Sequence, residues 1–235
     1  MQQTNINILS TRPLDEALVA EAKNKGIIID EVSFIETEPI QSIEVQQEVE
    51  QALLQLTTVV FTSMNAVEAV VTIKNEQQPN WKIYCIGNTT RQLVKKYFGE
   101  ESIVGTANSA TELAERIVEE ANTDELIFFC GEQRRAELPD ILRQNKIEVT
   151  EIVVYKTIGL PQKIKKEYSG ILLFSPSAAE IFFRSNKINN QTILFAIGNT
   201  TAIEIKKYTN NQIIISDEPG KDNLVKQMIK YFGDA

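Results

Sequence analysis

Residues 85–97 read CIGNTTRQLVKKY, and residues 196–208 read AIGNTTAIEIKKY. Eight of the thirteen positions are identical, at an offset of 111. The likeness extends in both directions. Downstream, SATELAERIVEE at 109–120 shares its apolar spacing with GKDNLVKQMIKY at 220–231, with Leu113 over Leu224 and Ile117 over Met228. Upstream, FTSMNAVEA at 61–69 falls over LFSPSAAEI at 173–181 at an offset of 112. A second block repeats separately: NKGIIIDEVSFIET at 24–37 lies over QNKIEVTEIVVYKT at 144–157, offset 120. Each copy of it follows a strand-like run, Ile6 to Ser10 or Leu126 to Cys130. A repeat of this size marks a duplicated supersecondary unit. The chain therefore has the order P-Q-P-Q, where P is 6–37 or 126–157 and Q is 59–120 or 171–231.

Within each block the pattern is strand, helix, strand. Val59 to Phe61, Ile83 to Ile86 and Ile171 to Phe174 are short, continuously apolar runs. Helical spacing follows each, as in Val67, Val70 and Val71, or Leu93, Val94 and Tyr97 or Phe98. Strands without polar alternation, each followed by a helix, predict parallel sheets covered on both faces. Pro13 suits the first turn of a helix, and Gly26 its end. The fold class is α/β, with two similar doubly wound domains. Two boundary schemes remain open on the pattern alone. One is a tandem, 1–121 and 122–235. The other pairs the first P with the last Q and leaves 38–154 as an insertion, with links near 35–40 and 155–162, each holding a proline, Pro39 and Pro161. The inserted scheme divides charge unevenly: residues 38–154 carry 10 Lys+Arg against 19 Asp+Glu, net −9, and the remainder is +1.

The 235 residues carry 24 Lys+Arg, 32 Asp+Glu and no histidine, a net charge of −8. Without histidine there is no Ser-His-Asp or Cys-His catalysis, no His-ligated zinc and no imidazole switch. Cys85 and Cys130 lie in separate apolar segments with no metal-binding spacing, so a reduced, cytoplasmic setting is expected. Met1 to Leu9 lack a basic region and a long apolar run, so no signal peptide is expected. No stretch approaches the ~18 apolar residues of a membrane span. The acidic balance argues against a nucleic-acid partner, because that affinity needs clustered cations.

The repeated Gly-Asn-Thr-Thr sits past the carboxyl end of a strand and at a helix start, where open α/β sheets bind ligands. Gly87 and Gly198 permit close backbone approach, Thr89, Thr90, Thr200 and Thr201 add hydroxyls, and the helix N-terminus offers free N–H groups. Together they make an anion site with no formal cation. Ser63 with Asn65, and Ser175 with Ser177, are the same kind of feature on neighbouring strands. The competing explanation is helix capping, which uses the same residue types. Tyr155 ends the run Ile152-Val153-Val154 and is either a core aromatic or a hydroxyl presented to a cleft. Arg12 and Arg135 are candidates for bidentate carboxylate binding, and Arg134 lies beside the latter. Lys163, Lys165 and Lys166 suit a solvated face. No P-loop, GxGxxG or HExxH occurs.

In order along the chain, LSTRP at 9–13, FTSMNAVEA at 61–69, IGNTTRQL at 86–93, CGEQRRAELPDIL at 130–142, VVYKT at 153–157, FSPSAAEIFF at 174–183 and IGNTTAIEI at 197–205 resemble the uroporphyrinogen-III synthase family. The resemblance implies two flavodoxin-like domains joined by a two-stranded linker with a cleft between them. That favours the inserted scheme: 1–36 plus 159–235 as one domain and 39–154 as the other. It implies conversion of hydroxymethylbilane, a linear tetrapyrrole, to uroporphyrinogen III, with loss of water and inversion of ring D through a spiro intermediate. It further implies no metal or organic cofactor, a cytoplasmic monomer, and a small-molecule substrate as the only partner. The family tyrosine matches Tyr155, which would assist departure of the hydroxyl. The motif threonines match Thr90 and Thr201, and the motif serines Ser63 and Ser175. FTSMN stands where the family often has a proline-containing FTSP, so the resemblance does not secure the role of Asn65. A different class of function fits the same duplicated cleft: a hinged binding protein or regulatory module for an anionic small molecule, with no chemistry. Because the net negative charge lies in 38–154, the discontinuous domain is expected to hold more of the substrate's carboxylates.

Overall fold

A computed structural model describes residues 6–218 and 220–233. The leader expectation at Met1 to Leu9 falls in part on residues 1–5, outside the described residues. The chain runs β1 (Ile6–Ser10), α1 (Glu16–Asn24), β2 (Ile27–Glu31), β3 (Ile35–Pro39), α2 (Ile43–Leu53), β4 (Thr57–Phe61), α3 (Met64–Lys74), β5 (Trp81–Ile86), α4 (Asn88–Phe98) and β6 (Ile103–Ala107). It continues α5 (Ala110–Glu120), β7 (Glu125–Gly131), α6 (Glu137–Gln144), β8 (Glu148–Gly159), β9 (Gly170–Leu173), α7 (Pro176–Ser185), β10 (Ile193–Ala196), α8 (Asn199–Lys206), β11 (Ile213–Ile215) and α9 (Lys221–Gly233).

The chain divides into two compact units, residues 1–36 with 158–235, and residues 37–157. The first holds a sheet ordered β11-β10-β9-β1-β2, and the other sheet is ordered β3-β8-β7-β4-β5-β6. In both, the two P strands lie beside the first Q strand, and the remaining Q strands follow outward. Counted with the P strands first, and apart from the edge strand β3 of the six-stranded sheet, each has the 2-1-3-4-5 order of a flavodoxin-like sheet. The pairings β1–β2, β1–β9, β9–β10 and β10–β11 are parallel in one sheet, as are β4–β5, β4–β7, β5–β6 and β7–β8 in the other. The strand order reverses between β1 and β9 in one unit and between β7 and β4 in the other.

The continuously apolar strands are explained by burial on both sides. Val59 and Phe61 face one core with α2, α3 and α4, while Val60 between them faces another with α5 and α6. Ile8 and Leu172 pack with α1 and α9, and Leu9, Ile171 and Leu173 with α7 and α8. Each such side chain taken from water contributes about 1.5–3 kcal/mol.

The two crossings between units are strands, β3 and β8. Ile40 N donates to Val154 O and Leu160 N to Phe34 O, each at 2.8 Å. Residue numbers rise along one strand as they fall along the other, so this pair is antiparallel. Tyr155, expected at a strand end, instead lies inside the 12-residue β8. The strand is prolonged because β3 supplies partners beyond the parallel sheet. Pro13 is not in a helix either: α1 starts at Glu16, with Asp15 as its cap accepting from Ala17 N at 3.1 Å. A carboxylate satisfies a first-turn N–H, which proline at that point would not.

The P repeat keeps its backbone even where its residue changes. Gly26 follows α1 with φ 75°, and at the same place after α6 Lys146 has φ 65°. A side chain in the left-handed region costs roughly 1–2 kcal/mol. Lys146→Gly should therefore raise stability by about 1 kcal/mol. It would appear as a higher urea midpoint at constant slope, and an unchanged midpoint would show that lysine sits there without strain.

Candidate functional site

In residues 37–157 the candidates cluster at the carboxyl ends of β4, β5, β7 and β8, around the point where the strand order reverses. Open α/β sheets bind ligands in that crevice. Ser63 follows β4 and caps α3, its Oγ accepting from Asn65 N at 3.2 Å. In the other unit Ser175 follows β9 and caps α7, its Oγ accepting from Ala178 N at 3.1 Å. For the two serines, capping is therefore an observed role.

The Gly-Asn-Thr-Thr loops differ. The residue at the cap position is glycine, Gly87 for α4 and Gly198 for α8, and neither helix has a side-chain cap bond. Asn88 and Asn199 are already the first helical residues, so they do not cap. In both copies the first threonine, Thr89 or Thr200, is exposed, and the second, Thr90 or Thr201, is buried. Ser177 and Thr200 have interactions within the chain. The two glycines stand on different grounds. Gly87 has φ 73°, a conformation that favours glycine, whereas Gly198 has φ −177°, which any residue adopts. A Cβ on either would meet nothing within 4 Å. Nothing inside the chain requires glycine at 198; its absent side chain leaves open space over the start of α8.

Arg12 follows β1 at the reversal point of the discontinuous unit. Thr11 beside it is buried and donates from both N (3.1 Å) and Oγ1 (2.8 Å) to Leu172 O, tying β1 to β9. Ser10 Oγ donates to Arg12 O at 2.6 Å. The Arg12 guanidinium lies 5.8 Å from the centre of the Phe174 ring, next to Ser175, and is exposed. Among the described residues it makes no ion pair. Arg134 is committed differently: Glu151, half-enclosed, accepts from Arg134 and from Arg143, the latter at 2.7 Å. Arg135 is exposed and has a partner within the chain.

Tyr155 is half-buried and packs against the core that holds Phe61, Phe129 and Val154. Its ring lies over Gly131 at the end of β7, a residue that motif reading did not single out. A Cβ there would come 2.6 Å from Tyr155 Cε2 and 2.7 Å from the phenol oxygen. The signal was available as the glycine of CGEQRR, but a sequence does not show which ring it admits. Burial pushes the thiols of Cys85 and Cys130 up to about 11, which keeps them protonated and unreactive. Among the described residues no three His, Cys, Asp or Glu side chains gather as a metal site would require. A groove of about 700 Å³ lies at the opposite, amino ends of β4, β7 and β8, lined by Glu48, Gln51, Leu56 and Glu125 among others. It offers an anion two carboxylates and the C-terminal end of α2, so it is unsuited to one.

Residues 16–226 match the family described as uroporphyrinogen-III synthase HemD. A uroporphyrinogen-III synthase of Saccharomyces cerevisiae is 26% identical over 194 residues, 68% of this chain and 69% of that protein. Among solved structures, the uroporphyrinogen-III synthetase of Helicobacter pylori superposes with a TM-score of 0.69 at 17% identity, covering 96% of this chain and 99% of its own. A mutant uroporphyrinogen III synthase of the extremely thermophilic bacterium Thermus thermophilus gives 0.65 at 12% identity, covering 97% and 98%. At those identities the structures speak for the fold. The sequence match over most of the chain carries the assignment: the chain belongs to the uroporphyrinogen-III synthase family.

Proposed function

We propose that this chain cyclises hydroxymethylbilane to uroporphyrinogen III, with Tyr155 as the proton donor and the two Gly-Asn-Thr-Thr helix starts as carboxylate sites. Overall, the terminal carbinol carbon loses its hydroxyl and bonds to the substituted α-carbon of ring D; the bond from that carbon to the bridge toward ring C then breaks, and the bridge carbon bonds to ring D's free α-carbon, which loses a proton, so that the ring closes with ring D inverted. The phenol supplies the proton that turns the hydroxyl into water. Closure of the macrocycle releases a proton, which returns to the phenolate. The acid is regenerated, and the balance needs no oxidant or reductant.

The observation that supports this reading best is the pair of glycine-opened, uncapped N-termini of α4 and α8. Each presents first-turn N–H groups and a partial positive charge without a competing side chain. A substrate with carboxylates on every pyrrole can use several such sites, and holding it in one conformation is most of the catalysis required. Ser63 and Asn65 follow β4, the neighbour of β5, Ser175 and Ser177 follow β9, the neighbour of β10, and Arg12 after β1 adds an exposed guanidinium. The reading also takes the enzyme to be a cytoplasmic monomer without nucleic-acid or membrane partners. No helix among the described residues is long and apolar enough to cross a membrane.

Incubating the purified chain with freshly made hydroxymethylbilane and separating the product isomers tests the activity. Type III product is expected; type I product alone, the result of spontaneous closure, would overturn it. Gly198→Ala tests the anion site separately. Because the backbone and neighbours accept a methyl group there, melting should be unchanged. KM should rise about fivefold, since the methyl intrudes where a carboxylate approaches the N–H groups. A KM equal to that of the parent would remove the α8 start from the site.

A further inference from the structure

Strands β7 and β8 pair in regular register from Glu125 with Glu148 to Cys130 with Val153, then slip by one, so that Gly131 pairs with Tyr155. Val154 is the extra residue, which makes this a β-bulge. Its consequence is visible in the cores. Ile152 and Val154 pack with Phe61 and Phe129, and Val153 packs on the opposite face with Phe128 and Cys130. Strict alternation would send Tyr155 to the face of Val153. It lies instead on the face of Ile152 and Val154. The bulge has turned the phenol over, to the side of the sheet that carries α3 and α4 and hence Ser63 and Gly87.

Two features hold it there. Glu132 N donates to Tyr155 O at 3.0 Å, which fixes the main chain beyond the slip. Gly131 leaves the space that the ring fills, since a Cβ would lie 2.6 Å from Cε2 and 2.7 Å from the hydroxyl. Gly131 is not among the residues with positive φ, so its backbone does not demand glycine; the ring does.

We infer that Gly131, together with the Val154 bulge, is a positioning device that aims the Tyr155 phenol for proton transfer. The inference rests on the proposed role of Tyr155 as the acid.

The test is a double-mutant cycle on the full-length chain with hydroxymethylbilane: Gly131→Ala, Tyr155→Phe and both together, reading kcat, KM and the isomer ratio. Gly131→Ala should lower kcat about tenfold with KM within about twofold, because a displaced acid loses orientation while binding persists. The double variant should be no slower than Tyr155→Phe alone, since a displaced ring without a hydroxyl has nothing further to lose. Parental kcat in Gly131→Ala, or losses that multiply in the double variant, would overturn the inference while Tyr155→Phe still shows its own defect. Full turnover in Tyr155→Phe would remove the premise, and the inference with it. If Gly131→Ala fails to fold, Tyr155→Ala in the same chain should restore the fold by removing the ring, and failure to restore it would overturn the proposed contact.

Discussion

Tyr155→Phe should lower kcat for hydroxymethylbilane about 100-fold, the lower end of what a positioned general acid supplies. KM should stay within about twofold and melting should be unchanged, because the ring still fills the space over Gly131 and packs with Val154. Only the hydroxyl is removed. The uncatalysed closure sets a floor, so the variant should also release a larger share of type I product as slow enzymatic turnover competes with the spontaneous reaction. No Ser or Thr change should equal this effect. Ser63 and Ser175 act on helix N-termini that keep their other N–H groups, and Thr90 and Thr201 lie inside the first turns. Parental turnover with Phe at 155 would leave the reaction without the proton donor proposed for it.

The absence of histidine narrows the chemistry in a useful way. The buried thiols are held protonated. What the described residues present at these strand ends is main-chain N–H, hydroxyls, the exposed guanidinium groups of Arg12 and Arg135, and the phenol of Tyr155. That inventory suits a reaction whose product forms spontaneously as the wrong isomer, where control of conformation matters more than lowering an intrinsically high barrier. The negative charge lies mostly in residues 38–154, while Arg12 stands in the discontinuous unit without an ion-pair partner among the described residues.

Much of this is legible in the sequence. The P-Q-P-Q repeat predicts two copies of one sheet, and apart from the added edge strand β3 the observed strand orders are the same order twice, because duplicated local patterns fold to the same local unit. The loop after β5 and that after β10 were legible for the same reason. What escaped were features set by partners distant in sequence. Capping by Asn or Thr was a fair expectation, yet glycine takes the cap position in both loops, a shift of register that composition does not reveal. The IVVYKT run gives no hint of a bulge at Val154, since slippage depends on how β7 ends. Tyr155 reads as a strand end because the chain alone does not show that β3 pairs with the continuation of β8. Helix α2 is not legible in the sequence, although Val49, Ala52 and Leu53 form its buried face; its Gln- and Glu-rich remainder masks that short stripe.

Phe129→Ala should destabilise residues 37–157 by about 4 kcal/mol, within the 3–5 kcal/mol usual for a buried phenylalanine. Phe129 is fully buried on the interior strand β7. Its ring lies 5.4 Å from Phe61 and 5.5 Å from Trp81, and both of those reach Phe98 at 6.0 and 5.4 Å. The strands on either side of β7 cannot close over the void, so it stays open. Trp81 is the chain's single tryptophan and is itself in this stack, so its fluorescence reports the loss directly in a urea titration. A loss below about 1.5 kcal/mol would mean that Trp81 and Phe98 repack into the gap. Turnover at 25 °C in the folded variant separates stability from positioning. If the phenol is aimed by the bulge, by Glu132 N–H and by the room over Gly131, kcat should remain within about threefold of the parent although the core beneath is weakened. A drop as large as that of Gly131→Ala would instead place the control of Tyr155 in the aromatic stack.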